Sequence, residues 1–371
     1  VARHYFDYAS AAALRPEVIE QINHVLPYLG ADAGRLHSEA HILRDLIEQS
    51  REIVASFFST SHQRVIFTSG LSESIAMATY GVLERSQERR VGLSGLERSA
   101  VATSAEQFGE VCSLEATEAG ALDLHQLDEE LALGLGLLWC QLANHETGII
   151  QPLAEVAERA EAFATPLACD LSGALPYLLP ELEADIFVLG AEAFGAPAGT
   201  GVLILRDPLR LEPLATGGSQ ERARRAGLEN ALGIIALAAA LETLSPTRRR
   251  DEAKHLLSLR QQIEEGFCAI DGVTLIDGGA SERVSQTSCF TIAGLEAEPV
   301  LIGLERQGFA VHSGSACASE SLEASPVLEA MGVDARHGLR ISTGWDSSPE
   351  GAAGLIAAFG ATVTQLRSLR S

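Results

Sequence analysis

Short apolar runs and longer segments of helical spacing take turns along most of this chain. Residues 65–67, 91–93, 111–114, 137–142, 166–169, 186–189 and 201–205 are compact apolar runs, the pattern of strands buried on both faces. Between them, helical periodicity predicts helices over residues 16–28, 70–83 and 152–164. A further helix has Ile42, Leu46, Ile53 and Phe57 at helical spacing, which reads as its inward face. Residues 229–244 are apolar almost without interruption, with Ile234, Ile235, Leu237 and Leu241 leaving no polar side. Such a helix must be buried on most of its surface. Strands alternating with helices predict an α/β fold with a largely parallel sheet.

The pattern changes at Ser245-Pro246-Thr247, and a boundary is expected near residue 245. A long charged helix to about residue 267 follows. Then come two strands, a helix over 299–307, a short strand, a short helix at 327–331 and the strand Leu339-Arg340-Ile341-Ser342. Ser348-Pro349-Glu350 opens the last helix, with a good N-cap and proline in the first turn.

Composition narrows the class. Hydrophobic content of 46% with 21% charged residues is that of a globular protein. A net charge of −23 argues against nucleic acid, whose phosphates need a basic surface. No run is long enough to span a membrane and no leader-like start is visible, so a cytoplasmic protein is expected. The six cysteines (112, 140, 169, 268, 289 and 317) lack CxxC spacing. Reduced thiols fit better than disulfides or a zinc site, and no metal site is expected.

Four places carry candidate chemistry. His312-Ser313-Gly314-Ser315-Ala316-Cys317 puts a cysteine among small residues just after a short strand; it is either a reactive thiol or a buried structural one. Thr68-Ser69-Gly70-Leu71-Ser72-Glu73 joins a strand to a helix and can hold an anion on backbone N–H groups, or be an ordinary turn. Asp170 and Asn144-His145-Glu146 end strands at the edge where open α/β sheets bind ligands. Arg340, in an apolar strand, reads as a carboxylate clamp or one half of an internal ion pair.

Together these segments resemble cysteine desulfurases. The resemblance rests on Asp7-Tyr8-Ala9, Phe67-Thr68-Ser69-Gly70, Asn144-His145-Glu146-Thr147-Gly148, Gly217-Gly218-Ser219-Gln220-Glu221, Gly227-Leu228-Glu229-Asn230 and Ser313-Gly314-Ser315-Ala316-Cys317. They occur in the family's order over essentially the whole chain. The resemblance implies a fold-type I pyridoxal-phosphate (PLP) transferase of the class V aminotransferase group. Its large domain, residues 15–245, would hold a mostly parallel seven-stranded sheet. Residues 246–371 would form a small α/β domain carrying the Cys loop, with residues 1–14 packed against it. It also implies a homodimer, Cys317 as persulfide nucleophile and Arg340 as clamp for a substrate carboxylate.

The pattern breaks around the cofactor. The family's lysine would fall at Ala193 within Gly190-Ala191-Glu192-Ala193-Phe194-Gly195-Ala196-Pro197. The chain has one lysine, Lys254, on a charged helix of the second half. By the same resemblance, Arg98 stands for the ring-stacking histidine, Gly173 for a glutamine, His145 for an asparagine, Leu228 for a threonine lent by the neighbouring subunit, and Glu192 for a phosphate-side histidine. A carboxylate facing a phosphate is unfavourable. Ser72, Asn144, Asp170, Arg340 and the cysteine loop keep the family's residues.

These features lead us to expect a desulfurase-like protein that has lost PLP catalysis while Cys317 still carries sulfur or serves iron–sulfur cluster assembly with a partner. The competing expectations are a non-catalytic dimeric partner of an active desulfurase or sulfur acceptor, an enzyme with a remodelled pocket, and an active desulfurase.

Overall fold

The structure is a computed structural model that describes residues 3–179, 184–206, 208–279, 282–314 and 325–369. Cys317 lies outside the described residues. Twelve strands are present among them: β1 (His4–Tyr5), β2 (Val65–Thr68), β3 (Arg90–Ser94), β4 (Glu110–Leu114), β5 (Leu137–Trp139), β6 (Leu167–Asp170), β7 (Ile186–Gly190), β8 (Gly201–Leu205), β9 (Val273–Leu275), β10 (Thr287–Ile292), β11 (Phe309–Ala310) and β12 (Gly338–Ser342).

Seven of these form one sheet in the order β2-β8-β7-β6-β5-β3-β4. It is parallel except for β8, which runs against both β2 and β7. Helices cover both faces, so β6, β7 and β8 are buried along their whole length. Alternate side chains of β8 enter separate cores: Val202 and Ile204 on one face, Leu203 and Leu205 on the other. This parallel packing aligns Asp170 of β6 with Val188 of β7. The strand ends and the turns beyond them, where the candidate residues sit, thus share one edge.

The second half builds an antiparallel sheet, β12-β10-β9. Its core gathers Leu256, Phe290, Ile341 and Phe359, with Phe267 stacked on Phe359 at 3.8 Å between ring centres. The start of the chain is fastened to this half, since β1 pairs with β11 and Asp7 bridges to Ser342.

Helix Ala231–Thr243 is buried from Ile234 to Leu241, as its unbroken apolar sequence requires. Helix Ser38–Phe57 turns a different row inward from the one expected. Leu43, Ile47 and Val54 are buried, Leu46, Ile53 and Phe57 are half-buried, and Ile42 is exposed. Two apolar rows lie side by side on this helix, and spacing alone does not choose between them. The first helix ends at Val25 and tightens into a 3₁₀ turn over Leu26–Tyr28. Pro27 lacks the N–H that would continue it. Among the described residues no helix is long and apolar enough to cross a membrane.

Candidate functional site

A cleft opens at the carboxyl edge of the large sheet, between it and the C-terminal half. Its walls include Tyr8, Arg98, Gly173, Glu192, Ala193 and Trp345. The cavity volume is about 60 Å³, room for a few water molecules at roughly 10–15 Å³ each.

Asp170, the last residue of β6, is 2% exposed. One of its oxygens, Oδ1, accepts the Ser172 N–H at 2.8 Å. The other, Oδ2, accepts Arg98 Nε at 2.8 Å. Arg98 immediately precedes helix Ser99–Phe108, and that position swings its guanidinium under the end of β6. A buried carboxyl group is costly unless it is paired and hydrogen-bonded, and here Arg98 and the Ser172 N–H answer its two oxygens.

Further acids surround this pair. Glu97 accepts the Gln141 N–H through Oε1 at 3.0 Å, while Oε2 has no partner. Burial, helped by the nearby Asp170 charge, pushes its carboxyl up to about 8. Glu192 lies in the 3₁₀ turn Ala191–Phe194 that follows β7. Its carboxylate folds back over Gly190, where a Cβ would come within 2.0 Å of Oε1. Burial raises the Glu192 carboxyl as well. Ala193 contributes only a methyl group to the wall, and the next residue, Phe194, is anchored edge-on against Phe57. Gly173 is tightly enclosed: a Cβ there would sit 2.2 Å from the Ala143 carbonyl oxygen. This backbone leaves no space for a longer residue.

The anion turn is closed from within. Glu73 Oε2 accepts the Ser69 N–H, and Glu73 Oε1 accepts Arg225 Nε at 2.9 Å. A carboxylate therefore stands at the start of helix Leu71–Leu83, with its own counter-ion. Ser72 itself is exposed and does not line the cleft.

Arg340 is 3% exposed. Its guanidinium donates to Asp7 Oδ1 at 2.8 Å, Ser10 Oγ at 2.7 Å and the His145 carbonyl at 3.1 Å. An internal ion pair with Asp7 is thus present at this residue. Asn144 spends its side chain on its own turn, accepting the Glu146 and Thr147 N–H groups and donating to the Leu96 carbonyl. His145 is buried with Nδ1 unpartnered. Burial, then Arg98 and Arg340, hold its imidazole well below the usual range, so it is neutral. Leu228 lies apart, 62% exposed, beside a separate hollow that includes Leu43 and Asn230.

The structure thus gathers Arg98, Asp170, Gly173, Gly190, Glu192 and Ala193 at one place, and sets Ser72 and Leu228 outside it. Sequence reasoning missed Glu97 and Arg225, and it named Glu73 as part of the anion turn without seeing that its own carboxylate occupies that turn. Glu97 is legible only as an acid beside Arg98, and the Glu73–Arg225 pair joins positions far apart in the chain. Lys254 is exposed on helix Pro246–Cys268, and it is not among the residues that line the cleft.

Comparison with known proteins agrees with this architecture. Residues 4–354 match the family model described as aminotransferase class-V. The cysteine desulfurase IscS of Dictyoglomus turgidum is 33% identical, over 89% of this chain and 86% of its own length. Cysteine desulfurase IscS 1 of Archaeoglobus fulgidus is 28% identical, covering 98% of both chains. A solved NifS-like protein superposes with a TM-score of 0.89 at 23% identity, over 98% of this chain and all (100%) of that one.

Proposed function

The chain belongs to the class V aminotransferase family, with cysteine desulfurases among its relatives, and from that premise we propose that it has given up PLP chemistry and keeps Cys317 to receive and pass on sulfur. The observation that carries this reading is the Arg98–Asp170 ion pair. In the family, a carboxylate at this place answers a protonated cofactor ring; here an internal guanidinium already answers it.

The remaining walls argue in the same direction. The residues do not fit the cofactor. Ala193 offers no amine for attachment, Glu192 adds a half-buried carboxyl, and Glu73 stands at the helix start where a phosphate would seek backbone donors. The cofactor's reactions depend on a lysine that attaches it and moves protons, and the chain's single lysine is exposed elsewhere.

Sulfur transfer needs none of this. The Cys317 thiolate attacks the outer sulfur of a persulfide on a donor protein. The donor's S–S bond breaks, its cysteine leaves as thiolate, and the outer sulfur remains on Cys317 as a persulfide. No net oxidation or reduction occurs. The donor is an active desulfurase, and the recipient is a sulfur acceptor or iron–sulfur scaffold protein. A dimer, of two such chains or of one with a lysine-bearing relative, follows the family's habit. The exposed Leu228 and Ile42 supply apolar surface for it.

Incubating the full chain with an active desulfurase and L-cysteine tests the proposal. Mass spectrometry of the Cys317 peptide is expected to show one added sulfur, absent in Cys317→Ala and absent without the donor enzyme. An unmodified Cys317 in the presence of a working donor overturns it.

A further inference from the structure

The cleft that does not fit the cofactor has hydrogen-bonding capacity to spare. Arg98 gives Asp170 only its Nε–H, at 2.8 Å. Its two Nη groups have no hydrogen-bond partner among the described residues, and the side chain lines the cleft at 21% exposure. A guanidinium presents its donors as a rigid planar fork, so the terminal edge of this one is unspent.

Two hydroxyls of the same walls are also unanswered. Tyr8 is 7% exposed, and its Oη has no hydrogen-bond partner among the described residues. Ser172 Oγ is buried in the same state, next to the Asp170 carboxylate that the Ser172 N–H serves. Both residues line the cleft. A buried tyrosine hydroxyl usually finds a partner, and cavities that stay dry are lined by apolar groups. A guanidinium, two hydroxyls and the Glu192 carboxyl make this lining polar.

Size and charge limit the occupant. A volume of about 60 Å³ takes about four to six atoms, at roughly 10–15 Å³ for each water-sized one. Ala193 gives the wall only a methyl group, which leaves that space open. Asp170 already faces Arg98, and Glu192 lines the same cleft. A doubly charged oxyanion would be repelled by these acids. A single charge spread over two oxygens matches the planar fork instead.

We propose that the cleft is a binding site for a small monocarboxylate of about four to six non-hydrogen atoms, held two-pronged by the free Nη edge of Arg98. The Nε bond to Asp170 fixes the plane in which that edge is presented. Asp170 is thus the positioning residue and Arg98 the binding one. This inference goes beyond the sulfur-carrier reading and uses no property of Cys317, so a Cys317 that takes no persulfide leaves it standing.

Isothermal titration calorimetry of the purified full chain tests it, with glycolate as the probe, sulfate as the doubly charged comparison and hexanoate as the oversized one. Glycolate is expected to bind saturably at one site per chain and more tightly than either comparison. Arg98→Gln combined with Asp170→Asn removes the fork without leaving a lone buried acid. That double variant is expected to weaken glycolate binding at least about tenfold, the loss of hydrogen bonds to a charged group. Absence of saturable glycolate binding, equal or tighter binding of sulfate or hexanoate, or wild-type glycolate affinity in the folded double variant each overturns the proposal. If the double variant does not fold, the ranking of the three probes on the wild-type chain decides alone.

Discussion

Asp170 and Arg98 decide the character of the cleft. Breaking a buried ion pair by removing one partner costs about 3–5 kcal/mol, because the other charge is left without an answer. Arg98 is partly open to solvent, so Arg98→Ala is expected to cost about 2–3 kcal/mol in urea unfolding, and adding Asp170→Asn to recover most of it. Glu97 gives a pH signature. Its folded-state carboxyl is raised from 4.5 to about 8. The folded protein therefore holds this proton after the unfolded chain has released it. Stability from this group is complete below pH 4.5, falls as the pH rises and is gone above about 8. Glu97→Gln removes that titration. Its melting temperature, relative to wild type, is expected to climb between pH 5 and 8 and then level off; a constant difference would contradict this. Asp170 was legible in the sequence because it closes an apolar run. The resemblance put Arg98 in the same pocket, but not its pairing with Asp170, since 72 positions separate the two and no periodicity links them.

The 3₁₀ turn Ala191–Phe194 works as a structural strut. Phe194 is 1% exposed and packs edge-on against Phe57 and Phe58, tying the end of β7 to helix Ser38–Phe57. A lysine placed at position 193 alone leaves Arg98, Glu192 and Glu73 where they are. Ala193→Lys supplied with PLP is accordingly expected to show no visible band of bound cofactor; a band that responds to cysteine would contradict the account. Strands were easy to read at this scale, because a sheet covered on both faces demands continuous apolar runs. The inward face of helix Ser38–Phe57 was not, since its two apolar rows have equal claim until helix Ala231–Thr243 is seen beside it.

At the scale of the whole molecule, the two halves meet where the chain's start crosses between them. Arg15 donates to Glu252 on helix Pro246–Cys268 and to the Phe194 carbonyl. Asp7 answers Arg340 from the C-terminal half. The cleft between the halves is therefore braced by groups that pair with one another. The order of the segments was enough to read the architecture, whereas the internal pairing that fills the cleft required the folded chain. The direct measurement is alanine released from L-cysteine by the purified chain, alone and supplied with PLP. No release above the rate of free PLP and cysteine without protein is expected. Catalytic release of alanine by this chain, with sulfur appearing on Cys317 and no donor enzyme present, would contradict it.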